Sequence, residues 1–240
     1  MTWTVNNPCI IGQPTKKSNY DTLWDNTDYL YNYLLKTGPF LNAREYASIN
    51  AAVTAIGATP ATLIVSEAET LTGASLTIPS TLSLIIIQGG SIIKASTYIL
   101  TINGHFWGCD GCFVGFAAGD VTLKDPVDPL WFGADKTGLT YSTNALKVAF
   151  AANPAVHFGE GFFALDDEIT STTIKEITGV HLRTFIWQSN VNKSNFVIGV
   201  DGAATEGIKT KDIFLGSKAT LDTTACLKLI RVNRSDIDVI

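Results

Sequence analysis

Charge is scarce in this chain of 240 residues. Asp, Glu, Lys and Arg make up 16% of it, below the usual quarter, and no basic run occurs. That excludes the electrostatic footprint of a nucleic-acid binder; the net charge of -5 serves solubility. Long apolar runs are lacking as well. Stretches such as Leu84 to Ile87 fall far short of the roughly 20 residues that span a bilayer, so no membrane insertion is expected. Met1-Thr2-Trp3-Thr4-Val5 lacks the basic and apolar regions of a secretory signal. The chain is read as made in a cytosol, staying there or leaving by a route such as cell lysis. Histidine is limited to His105, His157 and His181, far apart. No Ser/His/Asp arrangement, phosphate-binding loop or dinucleotide fingerprint is found, and no cofactor is expected.

Cysteine is limited to Cys9, Cys109, Cys112 and Cys226. Cys109-Asp110-Gly111-Cys112 has the spacing of metal and redox sites, and with His105 it offers three of the four ligands of a tetrahedral zinc. No second pair completes the set. Asp110-Gly111 is also a turn dipeptide, so Cys109 and Cys112 are read as small apolar residues flanking a hairpin turn, and no metal is expected.

What is present is apolar: 46% of the chain, ample for a core and for one to three domains. Residues 1–40 hold an extended segment and then a helix that Ser18 or Asn19 caps and Gly38-Pro39 stops. Tyr20, Leu23, Thr27, Leu30 and Leu34 alternate steps of three and four, the seam of a short coiled coil. The seam serves either an oligomer or packing on a neighbouring domain. Trp3-Thr4-Val5, Gly12-Gln13-Pro14, Asn19 to Asn26 (with Trp24) and Tyr29-Leu30 together resemble the N-terminal leader of many phage tail proteins. The resemblance implies that Trp3, Tyr20, Leu23, Trp24, Leu30 and Leu34 attach the protein to a virion.

Residues 41–128 begin with a second helix. Asn42 and Glu45 have capping-box spacing, Tyr46, Ile49, Ala52, Val53 and Ile56 share a face, and Gly57 ends it. The period then changes to two. Segments beginning at Leu76, Leu84, Ile92 and Leu100 recur at a step of about eight residues, which marks an internal repeat: successive sides of a small coil, or a β-meander. Residues 62–123 resemble a small β-module that often precedes β-helices in bacterial and phage proteins.

Asp125-Pro126-Val127-Asp128-Pro129 marks a boundary, and residues 129–240 form the third region. Leu130-Trp131-Phe132-Gly133-Ala134 reads as a buried strand running into a glycine. A helix capped by Ser142 or Thr143 follows through Ala145, Leu146, Val148, Ala149 and Phe150, and Asn153-Pro154 ends it. Strands follow at Val156 to Phe158, Gly161 to Leu165 and Ile169. This stretch resembles the opening of the pectate-lyase superfamily. The resemblance implies a right-handed parallel β-helix whose entry and cap are Trp131, Phe132, Gly133, Leu146 and Phe150. The two acids usual in the family's turn before the helix are missing from Lys136 to Ser142. Further on, Ile208, Asp212-Ile213 and Leu215 are matched by Val232, Asp236-Ile237 and Val239, each 24 residues later, which predicts Asp212 and Asp236 stacked at one corner. The chain stops in mid-strand at Asp238-Val239-Ile240, so the β-helix is expected to continue beyond 240.

For chemistry, Asp166-Asp167-Glu168 is the densest acidic cluster, and Asp166 and Glu168 are the pair able to share a strand face. They are the candidate catalytic residues. The competing reading is a solvated turn between Leu165 and Ile169, because no base, acid and clamp converge by sequence. Phe185 and Trp187 can stack on a sugar ring or fill a coil, and filling is the favoured reading. The expected whole is a mainly β protein, a phage tail spike or tail fibre. It is expected to be a homotrimer in the virion, made in the host cytoplasm, docked to other tail proteins by its N-terminus and recognising host surface glycan. The alternatives are a polysaccharide lyase or hydrolase with its cleft mostly beyond 240, and a bacterial extracellular β-helix protein, against which the missing signal argues.

Overall fold

The structure, a computed structural model, describes residues 40–180, 183–190, 192–199, 205–206, 208–217, 226–230, 232–233 and 236–239. The attachment residues Trp3, Tyr20, Leu23, Trp24, Leu30 and Leu34 lie outside the described residues, as does His181.

The described residues are mainly β, and every strand pairing is parallel. The first set comprises β1 (Phe40–Asn42), β2 (Ala61–Val65), β3 (Ala68–Thr70), β4 (Leu76–Ile78), β5 (Leu82–Ile86), β6 (Ser91–Ile93), β7 (Leu100–Ile102), β8 (Phe106–Gly108), β9 (Phe113–Val114) and β10 (Val121–Leu123). From β2 on, each strand pairs with the one three places later: β2-β5-β8, β3-β6-β9 and β4-β7-β10, with β1 added beside β2. The segments starting at Leu76, Leu84, Ile92 and Leu100 fall in β4 to β7 and do not pair with the next in line. The eight-residue step is therefore the spacing of successive sides, not of a meander. Alternation places Leu63, Leu84 and Phe106 inward in one register row, and neighbours in the row bury apolar area against each other. The corners bring backbones so close that only glycine fits. A Cβ on Gly104 would lie 1.8 Å from the Leu82 carbonyl oxygen, and one on Gly90 2.2 Å from that of Val65.

Helix α1 (Ile49–Ile56) closes one end of this set, burying Ile49, Ala52, Val53 and Ile56 in the same core. Its start differs from the expected capping box. Asn42 caps only a 3-10 turn, Ala43–Glu45, after which Tyr46 is extended. The helix proper is capped by Ser48, whose hydroxyl accepts from the Ala51 amide at 3.2 Å. Glu45 pairs with Arg44 at 3.2 Å.

The second set comprises β11 (Ala155–His157), β12 (Gly161–Leu165), β13 (Ile169–Ser171), β14 (Glu176–Thr178), β15 (Thr184–Gln188), β16 (Phe196–Ile198), β17 (Thr205–Glu206), β18 (Lys209–Ser217), β19 (Leu227–Leu229), β20 (Val232–Asn233) and β21 (Asp236–Val239). The pairings are β11-β14-β18, β12-β15-β18, β13-β16-β19 and β17-β20, with β21 on β18. The nine residues of β18 thus serve two sheets. Here the 24-residue repeat does not set the register. Asp236 pairs with Lys209, Ile237 with Thr210, and Val239 with Ile213 across a bulge. Asp212 takes a left-handed φ of 57°, a corner conformation that Asp tolerates, but Asp236 does not stack on it.

Between the sets, the expected strand at Leu130 is a 3-10 turn, Pro129–Phe132. Pro129 fixes its first φ, the Asp128 carboxylate accepts from the Leu130 amide at 2.9 Å, and Gly133 ends it at φ 82°. Trp131 and Phe132 pack back on the first core, edge-on to Phe106 and stacked on Phe113. Helix α2 (Thr143–Ala152) is shared. Ala149 and Ala152 belong to the first core, and Ala145, Leu146 and Phe150 to the second, where Phe150 stacks on Phe196 at 5.2 Å. Asn153 ends the helix, and its amide donates to the Leu123 carbonyl at 2.8 Å. Val127, between the sets, makes an isolated parallel bridge to Val156 on β11. Among the described residues no helix is long and apolar enough to cross a membrane.

Candidate functional site

The acidic cluster occupies the corner between β12 and β13, and each member has a local task. Thr143 Oγ1 donates to Asp166 at 2.5 Å and accepts from the Asp166 amide at 3.1 Å, tying the start of α2 to the second set. Ser142 makes no cap bond; its hydroxyl donates to the Asp135 carbonyl and accepts from the Asp135 amide. Asp167 lies 2.7 Å from Lys147 and 3.4 Å from Lys193, and the Lys147 hydrogen bond holds its carboxyl down at about 2. Glu168 lines an open groove of about 460 Å³ with Lys147 and Thr170. Lys193 also lines this groove, whereas Asp166 does not.

Cys112 is buried, and burial pushes its thiol upward. The Cys109 thiol donates to the Ile87 carbonyl at 3.3 Å. Among the described residues no three His, Cys, Asp or Glu side chains gather as metal ligands. His105 is exposed and pairs with Asp125 at 3.2 Å; His157 points outward on β11. Asp135, in the loop before α2, accepts from both the amide and the hydroxyl of Thr137 and of Thr140. These bonds, led by the Thr137 hydroxyl, hold its carboxyl well below the usual range. It organises the loop between Gly133 and α2.

The feature that sequence reasoning misjudged is the outer face of β12-β15-β18. Thr184, Ile186 and Gln188 point inward while Phe185 and Trp187 point outward, the reverse of filling a coil. Thr184 and Gln188 are tolerated inside because their side-chain groups find partners. The Thr184 hydroxyl donates to the Gly159 carbonyl and accepts from the Val180 amide. Gln188 donates to the Asp167 and Ser194 carbonyls and accepts from the Asn190 amide. Outside, Phe162, Phe185 and Phe214 lie side by side in register, and the next outward row is Tyr141, Ala164, Trp187 and Gly216. Phe162, Phe185 and Trp187 are 37%, 36% and 36% exposed. Glycine niches fix two of the rings: a Cβ on Gly138 would meet Phe162 at 2.2 Å, and one on Gly216 would meet Trp187 at 2.4 Å. Phe162 and Trp187 have ring centroids 6.4 Å apart, and Phe185 lies 5.2 Å from Phe214.

Beside this face is a wide-open cavity of about 640 Å³, more open to solvent than the groove at Glu168, lined by Leu130, Lys136, Gly159, Glu160, Gly161, Arg183 and Phe185. Opposite charges rim it in exposed pairs, Arg183 with Glu160 at 3.0 Å and Lys136 with Asp110 at 2.9 Å. Asp128 sits behind Gly159, and burial lifts its carboxyl to about 6. Solvent-facing rings next to paired donors and acceptors can hold a flat-faced, hydroxylated ligand. The signal available in sequence was the strict alternation Thr-Phe-Ile-Trp-Gln.

No family model, curated protein or solved structure matches this chain.

Proposed function

We propose that the chain is a phage tail spike or tail fibre protein, a virion component that docks to the tail by its N-terminus and recognises host surface polysaccharide. On this reading each set of parallel sheets is a right-handed parallel β-helix, the chains associate as a homotrimer, and the protein is made in the host cytoplasm. The resemblance of the leader to phage tail proteins supports attachment. Parallel pairing throughout, with a helix at the start of each set, supports the β-helical reading. Recognition is carried by one observation: the solvent-facing aromatic rows on β12-β15-β18 beside a cavity rimmed by paired charges. The depolymerase alternative is placed second because, of the candidate acids Asp166 and Glu168, Asp166 already serves the start of the helix.

Two measurements test the reading. Sedimentation equilibrium should give three times the mass of the single polypeptide; a monomer removes the trimer. Immunogold microscopy of particles released from lysed cells carrying the gene should decorate tails, and unlabelled tails overturn the virion reading. Shortened glycans after incubation with host capsule or lipopolysaccharide would move the depolymerase to first place.

A further inference from the structure

We propose that the aromatic rows of β12-β15-β18 and the adjoining cavity bind neutral pyranose units, and that the site selects against acidic sugars. This rests on the reading of the chain as a surface-polysaccharide binder and adds where the sugar sits and what charge it carries.

The first argument is electrostatic. Both cations at the cavity are already neutralised, Arg183 by Glu160 and Lys136 by Asp110. Asp110, Asp128 and Glu160 all act on Lys136, so three carboxyl groups face two cations. A uronate or sialate would add a further negative charge to that excess and would have to displace a carboxylate to reach a cation. A neutral sugar meets no such opposition. Its hydroxyls donate and accept at once, and a salt-bridged pair presents an acceptor and a donor at the same spot, matching that capacity.

The second argument is shape. Phe185 forms one wall of the cavity, and Phe162 and Trp187 continue the apolar surface outward, held by contact with Gly138 and Gly216. Rings fixed before binding lose little freedom on binding. The apolar face of a pyranose laid on Phe185 would direct its rim of hydroxyls toward Arg183 and Glu160, and the next unit would lie along Phe162 and Trp187.

A second copy of the chain is the competing occupant, and area argues against it. An aromatic side chain carries about 150–250 Å², so Phe162, Phe185 and Trp187, a little over a third exposed, together with Tyr141, 60% exposed, offer roughly 250–420 Å² of apolar surface. A stable subunit contact needs about 800 Å² per partner, and exposed ion pairs and an open cavity interrupt this patch.

The test uses the full chain on an array of immobilised oligosaccharides: gluco-, manno- and galacto-oligomers as neutral probes, oligogalacturonate and sialyl-oligomers as acidic ones. The expected result is binding to at least one neutral series and to no acidic one, unchanged between 50 and 500 mM salt because no net charge is being paired. Phe185→Leu and Trp187→Leu keep apolar bulk but remove the flat face, and each should weaken binding about 10-fold or more without shifting the thermal midpoint. Arg183→Ala should weaken it less. Binding only to acidic probes overturns the selectivity. Neutral binding that survives both ring variants leaves the polysaccharide reading standing and removes this site. No binding to any glycan, array or host-derived, removes both. Loss of oligomer in Trp187→Leu assigns the face to a second copy and overturns the proposal.

Discussion

The strands from Ala61 to Leu123 and those from Ala155 to Val239 pair by the same rule yet are spaced differently along the chain. In the first set Leu63 pairs with Leu84 and Leu84 with Phe106, steps of 21 and 22 residues. Leu76, Leu100 and Val121 give 24 and 21. In the second set Val156, Ile177 and Thr210 give 21 and then 33, and Ile169, Phe196 and Leu227 give 27 and 31. Short, even steps leave no chain to spare at the corners, so backbone meets backbone and glycine is required at Gly90 and Gly104. Longer steps do not abolish such contacts, since a Cβ on Gly199 would lie 2.0 Å from the Ile230 carbonyl oxygen, but they leave room elsewhere that side-chain amides fill. Asn195 is fully buried, and its amide donates to the carbonyls of Ile186 and Gly216, in neighbouring strands of one sheet. The first set is thus held by close apolar repetition, and the second by apolar rows with polar clamps. Among the described residues, the aromatic outer face with an adjoining cavity lies on the second set.

The largest effect should come from breaking a glycine corner. Gly104→Ala places a methyl group 1.8 Å from a backbone oxygen that has no rotamer to retreat into. Overpacking of this kind typically costs about 3 kcal/mol. Chemical denaturation should show that loss, whereas Gly73, with nothing within 4 Å but φ 80°, should lose only about 1 kcal/mol on the same change, from its backbone conformation alone. Equal losses at the two positions would mean that the corner is not tight. The second set should break through its clamp instead. Asn195→Ala strands two buried carbonyls and should cost about 2 kcal/mol, with hydrogen-exchange protection falling at Ile186 and Gly216 more than in β2, β5 and β8. Uniform loss of protection across both sets would show that they unfold as one unit.

Much of this contrast was readable beforehand, for identifiable reasons. The eight-residue step of Leu76, Leu84, Ile92 and Leu100 is undiluted because each side is short and its inward residues are aliphatic. The core face of α1 was equally plain, since Ile49, Ala52, Val53 and Ile56 carry no polar interruption. The second set misleads because its interior contains Thr184, Gln188 and Asn195. Polar residues read as outward unless their partners are known, and those partners lie in other corners and strands: Gly159 and Val180 for Thr184, Asp167 and Ser194 for Gln188, Ile186 and Gly216 for Asn195. The same cause turned Phe185 and Trp187 the wrong way. At Leu130 the apolar string suggested a strand, but a local event prevailed: Asp128 and Pro129 start a 3-10 turn. The register of β18 with β21 was missed because Lys209 and Asp236 pair 27 residues apart, and Ile213 and Val239 26 apart past a bulge, whereas the sequence repeat steps by 24.

The junction between the sets offers a smaller, oppositely signed effect. Burial raises Asp128 from 3.8 to about 6 in the folded chain. Between those values the folded state binds more protons than the unfolded state, so this group makes stability fall as pH rises from about 4 to about 6, with no further loss above. Asp128→Asn keeps a capping acceptor for the Leu130 amide and removes the buried charge. It should raise stability at pH 7 by about 1–2 kcal/mol and abolish that slope. A variant less stable than the parent at pH 7 would mean that the charge itself holds the turn.

The smallest effect expected is at Asp167, on the side of α2 that faces the second set. Lys147 holds this carboxyl at about 2 in the folded chain, below its usual 3.8. The sign is therefore the reverse of that at Asp128: its contribution is present above about pH 4 and is lost as pH falls toward 2. The pair is 40% and 43% exposed, so solvent screening limits it to under about 1 kcal/mol. Lys147→Ala should cost about 0.5 kcal/mol in dilute buffer and almost nothing in 1 M salt. The helix would still be fixed to the first set by Ala149, Ala152 and Asn153, and to the second by Phe150 and the Thr143–Asp166 pair. A loss above 2 kcal/mol that persists in salt would show that Lys147 packs the helix through its stem, and that the junction depends on the charged side of α2 as much as on its apolar face.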